Sequence, residues 1–451
     1  MRQMAFLMAL MIFAACADRP KDPLKQPVDR HLMADSVKTE FLHAWNGYKT
    51  HAWGYDALKP LSQTAHNWYE HSLLMTPVDA FSTLMLMQLN QEASEAKKLI
   101  LKKLSFDRNM DVQVFEVNIR LLGGLLSAYE LDGDPEFLRL AEDLARRLLP
   151  AFRSPTGMPC RTVNLRTGAT RDPVSNPAEI GTYILEWGTL SRLTGNERYY
   201  DTAKKAMISL YQRRSPLNLL GTQIHVETGQ WLNTESHLSG MIDSFYEYLV
   251  KGWLMFGDPE FKSMWETLKP GIDRYLVDQH HGLWIGRADM GTGRRTRTWF
   301  GSLDCFFPAT LALAGETKMA RRLQESAYRL WTQYGIEPEM MNYETMETVN
   351  ASYSLRPENL ESAYTLYQMT GNDRYLAMGK VFFDSLVRYC RNETAYAHLR
   401  SVHTKEQIDS MESFFLAETL KYAYLLFHPE RLVNFEEMMF NTEAHPLRIR
   451  H

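Results

Sequence analysis

The sequence predicts an all-α fold, a closed α/α toroid of seven helical hairpins. Three observations carry that prediction: a turn motif that recurs along the chain, apolar stretches before the turns matched by amphipathic ones after them, and acids set one helix length ahead of the turns. The turn motif is clearest in "LDGDPEFLRLAEDLARRLL" (131–149), "LTGNERYYDTAKKAMISLY" (193–211), "MFGDPEFKSMWETLKPGID" (255–273) and "MTGNDRYLAMGKVFFDSLV" (369–387). Weaker copies at 89–104, 313–331 and 426–440 bring the hairpins to seven. Gly133, Gly195, Gly257, Gly315 and Gly371 recur every 56 to 62 residues, room for two helices and a connection. In each motif the Gly ends one helix in a left-handed cap and the following Asp or Asn caps the next.

In chain order the first helix of each hairpin begins at Asp79 in "PVDAFSTL", Glu116 in "VFEVNIRLLGG", Glu179 in "NPAEIGTY" and Asp243 in "MIDSFYEYL". The remaining three begin near Ser302 in "FGSLDCFFP", at Glu358 in "LRPENLES" and at Glu412 in "SMESFFLAE". Stretches such as "ILEWGTLSRL" before the turns are apolar on several faces and predict inner helices. Those after, such as "FLRLAEDLARRLL", have apolar residues at helical spacing and predict outer ones. An open α-solenoid is the alternative arrangement of the same hairpins, but it leaves the inner helices without cover. In a closed ring the inner N-termini converge on one mouth, bringing six acids together. Single acids there complement helix dipoles. Six at one cavity need a cation, arginines or protonation to offset their repulsion. Arg120, one turn after Glu116, and Arg356, two residues before Glu358, are the nearby cations.

With 451 residues, 45% hydrophobic and 12% aromatic, the chain has material for a large core. Its 50 basic and 54 acidic residues, net charge −4, form no basic stripe, so a nucleic acid partner is not expected. Residues 1–16, "MRQMAFLMALMIFAAC", have a basic start, a short apolar run and small residues before Cys16, as a signal peptide of lipoprotein type does. The expected division is a signal at 1–16, a linker at 17–35 and one domain at 36–451. The protein is expected to be exported, either periplasmic or membrane-anchored through a lipid on Cys16, with secretion the alternative, and monomeric. Cys160, Cys305 and Cys390 have no metal-like spacing and read as buried apolar thiols. Separated carboxylates with aromatics such as Trp68, Trp299 and Phe414 suit glycoside cleavage, one carboxylic acid protonating the leaving oxygen and another activating water or attacking. The stretch Phe440–Pro446, "FNTEAHP", read alone, is a capped turn.

The blocks "FLHAWNGYKTHAWGYDALKPLS", "VFEVNIRLLGGLLSAYEL", "RLLPAFRSPTGMPCRTVNL", "IDSFYEYLVKGW", "SLRPENLESAYTLYQMTGN", "DSMESFFLAETLKYAYLLF" and "FNTEAHPL" resemble, in this order, the class I α-mannosidases of glycoside hydrolase family 47. The resemblance covers nearly all of the exported chain. It implies an (α/α)7 barrel and an exo-acting, inverting, calcium-dependent 1,2-α-mannosidase acting on α-1,2-linked mannosides or high-mannose-type oligosaccharides. It implies Glu116 as general acid, Glu358 as general base and Asp243 as a third essential carboxylate that shares the claim to acid duty. Arg120, Arg356, Phe414, Glu418 and Glu443 match residues around the terminal mannose, and Glu179 and Glu361 match further acidic positions of the cavity. Thr442 matches the sole direct protein ligand of Ca2+, through its hydroxyl and carbonyl. Met241 stands where many family members have arginine, and "SLDCFFPATLAL" resembles the EDEM-like branch. Ala327 replaces a cysteine that pairs with the one matching Cys305, so Cys305 is expected free. Two other readings stand beside this one: a surface-anchored glycan-binding protein with little turnover, and a different α-glycoside-cleaving α/α barrel.

Overall fold

The computed structural model describes residues 22–449; the signal expected at 1–16, with Cys16, lies outside the described residues. The chain opens with a long helix, α1 (Arg30–His51), and then lays down hairpins around a closed ring, the predicted (α/α)7 barrel. The first pair is α2 (Met75–Asp79) with α3 (Phe81–Leu86), inner, and α4 (Asn90–Lys103), outer. The second inner helix runs from α5 (Val114–Val117) through a π-helical turn at Asn118–Leu122 into α6 (Gly123–Asp132), covered by α7 (Pro135–Leu148). Next come α8 (Pro177–Gly181) and α9 (Ile184–Thr194) under α10 (Arg198–Tyr211), and α11 (Asp243–Phe256) under α12 (Pro259–Tyr275). A 3-10 turn at Leu303–Phe306 leads into α13 (Phe307–Leu313) under α14 (Thr317–Thr332), followed by α15 (Glu358–Thr370) under α16 (Arg374–Cys390). A second π-helical turn, Phe415–Thr419, leads into the last inner helix, α17 (Leu420–Phe427).

The turn chemistry is as the sequence predicts. Gly133, Gly195, Gly257, Gly315 and Gly371 all have φ between 62° and 86°. A Cβ there would meet nothing within 4 Å, so glycine is needed for backbone conformation and not for space. Asp134 and Asp258 accept hydrogen bonds from the amides of Glu136 and Glu260, both 3.0 Å, with Pro135 and Pro259 at the first helical position. Outer helix α7 buries Phe137, Leu140, Ala141, Leu144, Ala145 and Leu148 along one stripe. Inner helix α11 buries ten of its fourteen residues.

Two expectations are corrected. Segment 426–440 does not supply the outer helix of the last hairpin. The residue before Pro429 is pushed towards extended backbone, and His428, at φ −59° and ψ 130°, ends α17 there. Helix α1 takes the outer place against α17, so the two ends of the chain close the ring; the Arg30 guanidinium donates to the His428 carbonyl. For the same reason the linker expected at 17–35 is not free at its C-terminal end. Asp29 caps α1 by accepting from the Leu32 amide at 3.1 Å, and Met33 and Ala34 are already buried.

Eight small antiparallel sheets of two or three strands are formed among the described residues, seven of them between outer helices and the next inner ones. Strand Asp111–Gln113 runs directly into α5, so this loop layer rims the end where inner helices begin. One hairpin, Met438–Phe440 paired with Pro446–Arg448, enters from the opposite end. Its second strand packs on α6 and α9, and the Arg192 guanidinium, near the end of α9, donates to the Arg448 carbonyl at 2.6 Å. Its tip, Asn441–His445, reaches back to Ile119 and Glu186, halfway along the inner helices.

Gly371→Ala is expected to destabilise the protein by about 1 kcal/mol, the cost of a left-handed L-residue, without altering the barrel interior. A thermal melt followed by circular dichroism, with substrate turnover as control, measures it.

Candidate active site

Inner helices built from apolar runs leave few polar side chains inside the ring, and those few collect at its mouth. They line a cavity of about 360 Å³. All eleven residues to which the family resemblance assigns a catalytic, substrate or calcium role border it: Glu116, Asp243 and Glu358; Arg120, Arg356 and Phe414; Glu179, Glu361, Glu418 and Glu443; and Thr442. The convergence of six helix-starting acids is corrected. Only Glu116, Glu179, Asp243 and Glu358 face this cavity. Asp79 turns away at the end of α2, where the Ser413 hydroxyl donates to it and His445 Nε2 lies 3.0 Å from its other oxygen. Glu412 precedes its helix and faces a neighbouring cleft. The fifth inner helix, which the sequence starts near Ser302, also brings an acid the sequence reading passed over, Asp304, which accepts from the Gly301 amide at 2.8 Å. Burial pushes Asp304 up to about 6.

The two arginines are clamped in place. Arg120 Nε donates to Glu116 Oε2 at 2.9 Å, one turn back on the same helix, while its Nη1 donates to Glu443 and lies 3.6 Å from Asp79. Arg120 sits on a π-helical turn, and so does Glu418; such turns re-aim side chains and gather at functional sites. Arg356 is held in a fork by Glu339, at 3.0 and 3.1 Å. The Phe414 ring lies near both guanidinium groups, 5.8 Å from Arg120 and 5.9 Å from Arg356. It is an apolar wall beside two fixed positive charges. Glu179 is fixed by Gln113 Nε2 at 2.9 Å and Arg161 Nε at 3.0 Å, and Asn176 caps its helix by accepting the Glu179 amide.

The hairpin tip makes the floor. Asn441 Nδ2 donates to the Ile119 carbonyl at 2.9 Å and to Glu186 Oε1 at 2.8 Å, and its own oxygen accepts from the amides of Glu443 and His445. A Cβ on Gly123 would lie 2.5 Å from Asn441 Nδ2, so this glycine in the middle of an inner helix is what admits the tip. The Tyr248 hydroxyl gives its proton to Glu186 at 2.6 Å, which leaves its oxygen free to accept the Thr442 amide at 3.2 Å. The Thr442 hydroxyl donates to Glu247 Oε2 at 2.8 Å. Its single proton is thereby spent, and the oxygen's lone pairs can only accept. Glu247 in turn pairs with Lys251, one turn further along α11, and Lys251 lies 3.6 Å from Glu361. Glu247, Lys251, Glu186 and Glu339 were missed in the sequence. A signal for Glu247 existed: it stands one helical turn after Asp243, on the same face.

Eight carboxyl groups line the cavity against three guanidinium groups. Burial pushes Asp243 up to about 7 and Glu358 up to about 8, the latter despite Arg356. Glu361 is pushed up to about 7 by burial, and Glu418 is raised well above the carboxylate range by burial and by repulsion from Glu358. Glu358 Oε2 is buried with no hydrogen-bond partner among the described residues. No three His, Cys, Asp or Glu side chains among the described residues are placed to chelate a metal together. Yet the donor set fits a hard cation: oxygens only, an excess of negative charge and a threonine hydroxyl turned acceptor. Cys160, Cys305 and Cys390 are free and buried.

The model of "Glycosyl hydrolase family 47" matches residues 40–449. "Alpha-mannosidase I MNS5" of Arabidopsis thaliana is 34% identical over 459 residues, covering 95% of this chain and 79% of that protein. "ER degradation-enhancing alpha-mannosidase-like protein 2" of Mus musculus is 36% identical over 449 residues, covering 92% of this chain and 77% of its own. Among solved structures, an "alpha-1,2-mannosidase from Trichoderma reesei" superposes with a TM-score of 0.87 at 29% identity, covering 94% of this chain and all of that one.

The raised carboxyl groups predict how stability depends on pH. Asp243, Glu358 and Glu361 keep protons in the folded chain that the unfolded chain releases near pH 4, so they stabilise the fold below that pH and lose this contribution as pH rises towards 8. In metal-free protein the melting temperature should fall between pH 5 and pH 8. Added divalent cation should stabilise more at pH 8 than at pH 5.

Proposed function

The chain belongs to glycosyl hydrolase family 47 and is a glycoside hydrolase; from that premise we propose that it is an exo-acting, inverting, calcium-dependent 1,2-α-mannosidase that removes terminal α-1,2-linked mannose from oligosaccharides. The observation that carries the reading is the single cavity combining three candidate acid–base carboxyls, a clamped arginine pair beside Phe414 and the Thr442 floor. A glycan-binding protein without turnover would have no use for Glu116, Asp243 and Glu358 together. The terminal mannose is bound with its apolar face on Phe414 and its hydroxyls on Arg120, Arg356, Glu443, Glu418, Glu179 and Glu361. Export through residues 1–16, with Cys16 as a lipid anchor, belongs to the same proposal and would present the enzyme to glycans outside the cytoplasm.

Glu116 donates a proton to the glycosidic oxygen, directly or through a water, with the Arg120 contact at 2.9 Å fixing its orientation. Asp243 is the competing donor, since a carboxyl pushed up to about 7 still carries a proton near neutrality. Glu358 takes a proton from the attacking water on the opposite face of the ring, which inverts the anomeric centre. Inversion asks for carboxyl groups about 6.5 to 9.5 Å apart, and helix starts on separate sides of a ring provide such gaps. A base pushed up to about 8 works at neutral pH only when further positive charge joins Arg356. Thr442, through its hydroxyl oxygen and carbonyl, together with water and sugar hydroxyls, would hold calcium there. Bound there, it would supply that positive charge and Lewis acidity towards mannose hydroxyls. Glu247 holds the Thr442 hydroxyl in its accepting orientation at 2.8 Å.

Release of mannose from α-1,2-mannobiose should be abolished by chelator and restored by calcium, with β-mannose as the first product seen by NMR. Binding without release, or release indifferent to chelator, would defeat the proposal. Glu358→Gln should remove turnover and keep sugar binding. Glu247→Gln should weaken calcium affinity about 10- to 100-fold, read from the calcium dependence of the melting temperature as well as from activity.

A further inference from the structure

Glu337 is a buried acid that the catalytic scheme above does not use. It lies on the connection between α14 and strand Met340–Asn342, two residues before Glu339, the clamp on Arg356. Its Oε2 accepts from Asn359 Nδ2 at 2.6 Å, and Asn359 Oδ1 in turn accepts from Gln324 Nε2, on α14, at 3.3 Å. Asn359 is the residue after Glu358 in the first turn of α15. A row of hydrogen bonds thus runs one way, from Gln324 through Asn359, and stops at Glu337. The Cys305 thiol, 3.9 Å from the same oxygen, adds only a weak donor. The other oxygen of Glu337, Oε1, is buried without a hydrogen-bond partner among the described residues, and so is Glu358 Oε2. A charged Glu337 would have nothing to hold its charge: the nearby guanidinium, Arg356, is occupied by Glu339, and Glu358 repels Glu337 more than any other group does. Burial and that repulsion raise Glu337 well above the carboxylate range. A protonated carboxyl has one O–H to donate. Since Oε2 accepts from Asn359, that proton sits on Oε1, and the buried oxygen in want of a donor is Glu358 Oε2.

We propose that Glu337 is a positioning residue for the reaction: it stays protonated and donates from Oε1 to Glu358 Oε2, directly or through one buried water, so that Glu358 keeps its negative charge and presents its other oxygen to the attacking water. The proposal rests on the reading of Glu358 as general base. One proton for the two acids leaves a single negative charge, which is the arrangement that like charges in a dry site favour. It remains on Glu337 throughout, and the proton that Glu358 takes comes from the attacking water. The titratable and charged groups around the pair are Cys305, Tyr353, Arg356, Glu339, Glu361 one turn along α15, and Glu418 from the last inner helix. Burial keeps the Cys305 thiol and the Tyr353 hydroxyl protonated, so neither competes for a charge near neutrality.

The test is the pH profile of kcat/KM on α-1,2-mannobiose, measured on the full chain with calcium present. A general base works only when ionised, so the acid limb of the profile reports Glu358. Glu337→Leu removes the donor and favours neutral Glu358. It should move the limb up by about one pH unit, the worth of one hydrogen bond to a charged group, lowering kcat about tenfold below the limb with little change in KM. Glu337→Gln keeps an N–H donor of the same reach and should hold the limb near its original place. A downward move in both variants means that Glu337 carries a charge, and no move in either means that it only fills space. Either result overturns the proposal, as does the same upward move in both. Infrared difference spectra of the unsubstituted chain against Glu337→Gln at pH 7 need no turnover and no leucine variant. One protonated carboxyl should disappear with the substitution; disappearance of an ionised carboxylate overturns the proposal. A Glu358→Gln variant that still turns over is a separate result, and it would overturn the parent reading of Glu358 instead.

Discussion

The cavity depends on one insertion: the tip of the C-terminal hairpin, pressed into the ring against Gly123 and fastened by Asn441. Without it the barrel would be open from the end where the inner helices finish, and neither Thr442 nor Glu443 would reach the site. The fastening is made of buried polar contacts, which are strong only when every partner is supplied. Asn441 uses both its donor and its acceptor, towards Ile119 and Glu186 and towards the amides of its own turn. Beneath it, Lys421 donates to the Ala444 carbonyl at 2.5 Å and to Ser82 at 2.8 Å, and His445 leans on Asp79. Ala444 holds a φ of 56°, an unusual value for a residue with a side chain, kept by these contacts.

The second constraint is electrostatic and follows from the first. Closing the floor dries the site, and drying pushes its carboxyl groups towards their neutral forms. The chain answers in three ways. Arg356 is shared with Glu339, Arg120 is shared between Glu116 and Glu443, and Lys251 is buried between Glu247 and Glu361. What remains uncompensated is concentrated at Asp243, Glu358 and Glu418. These acids are left responsive to whatever positive charge or substrate hydroxyl arrives, and catalysis needs such groups.

How far the site was legible depends on the range of the interactions that make it. The Glu116–Arg120 pair is one helical turn apart and could be read directly. The turn glycines could be read for the same reason, as could the caps at Asp134 and Asp258. Asp79 and Glu412 follow the same rule at the start of their helices and yet point elsewhere, because side-chain direction there is set by His445 and by the loop around Ser410. Glu339, the clamp on Arg356, precedes the strand Met340–Asn342, where nothing in its local sequence distinguishes it from a solvated surface acid. The outer place beside α17 went to a helix at the opposite end of the chain, which no local motif encodes. Proline chemistry at His428 and Pro429 forbade the helix that the repeat implied.

The sequence by itself determined the repeating hairpin, the all-α class, the family and, through the ordered motifs of that family, eleven of the residues that line the cavity. These follow from periodicity, capping and ordered motifs, all of which act over a few residues along the chain. The tertiary structure alone decided which acids face inward, that α1 closes the ring, that a glycine in mid-helix admits the hairpin tip, and that the Thr442 proton is spent on Glu247. Those outcomes depend on groups hundreds of residues apart sharing a small, dry volume, where burial and charge are set by neighbours in space and not in sequence.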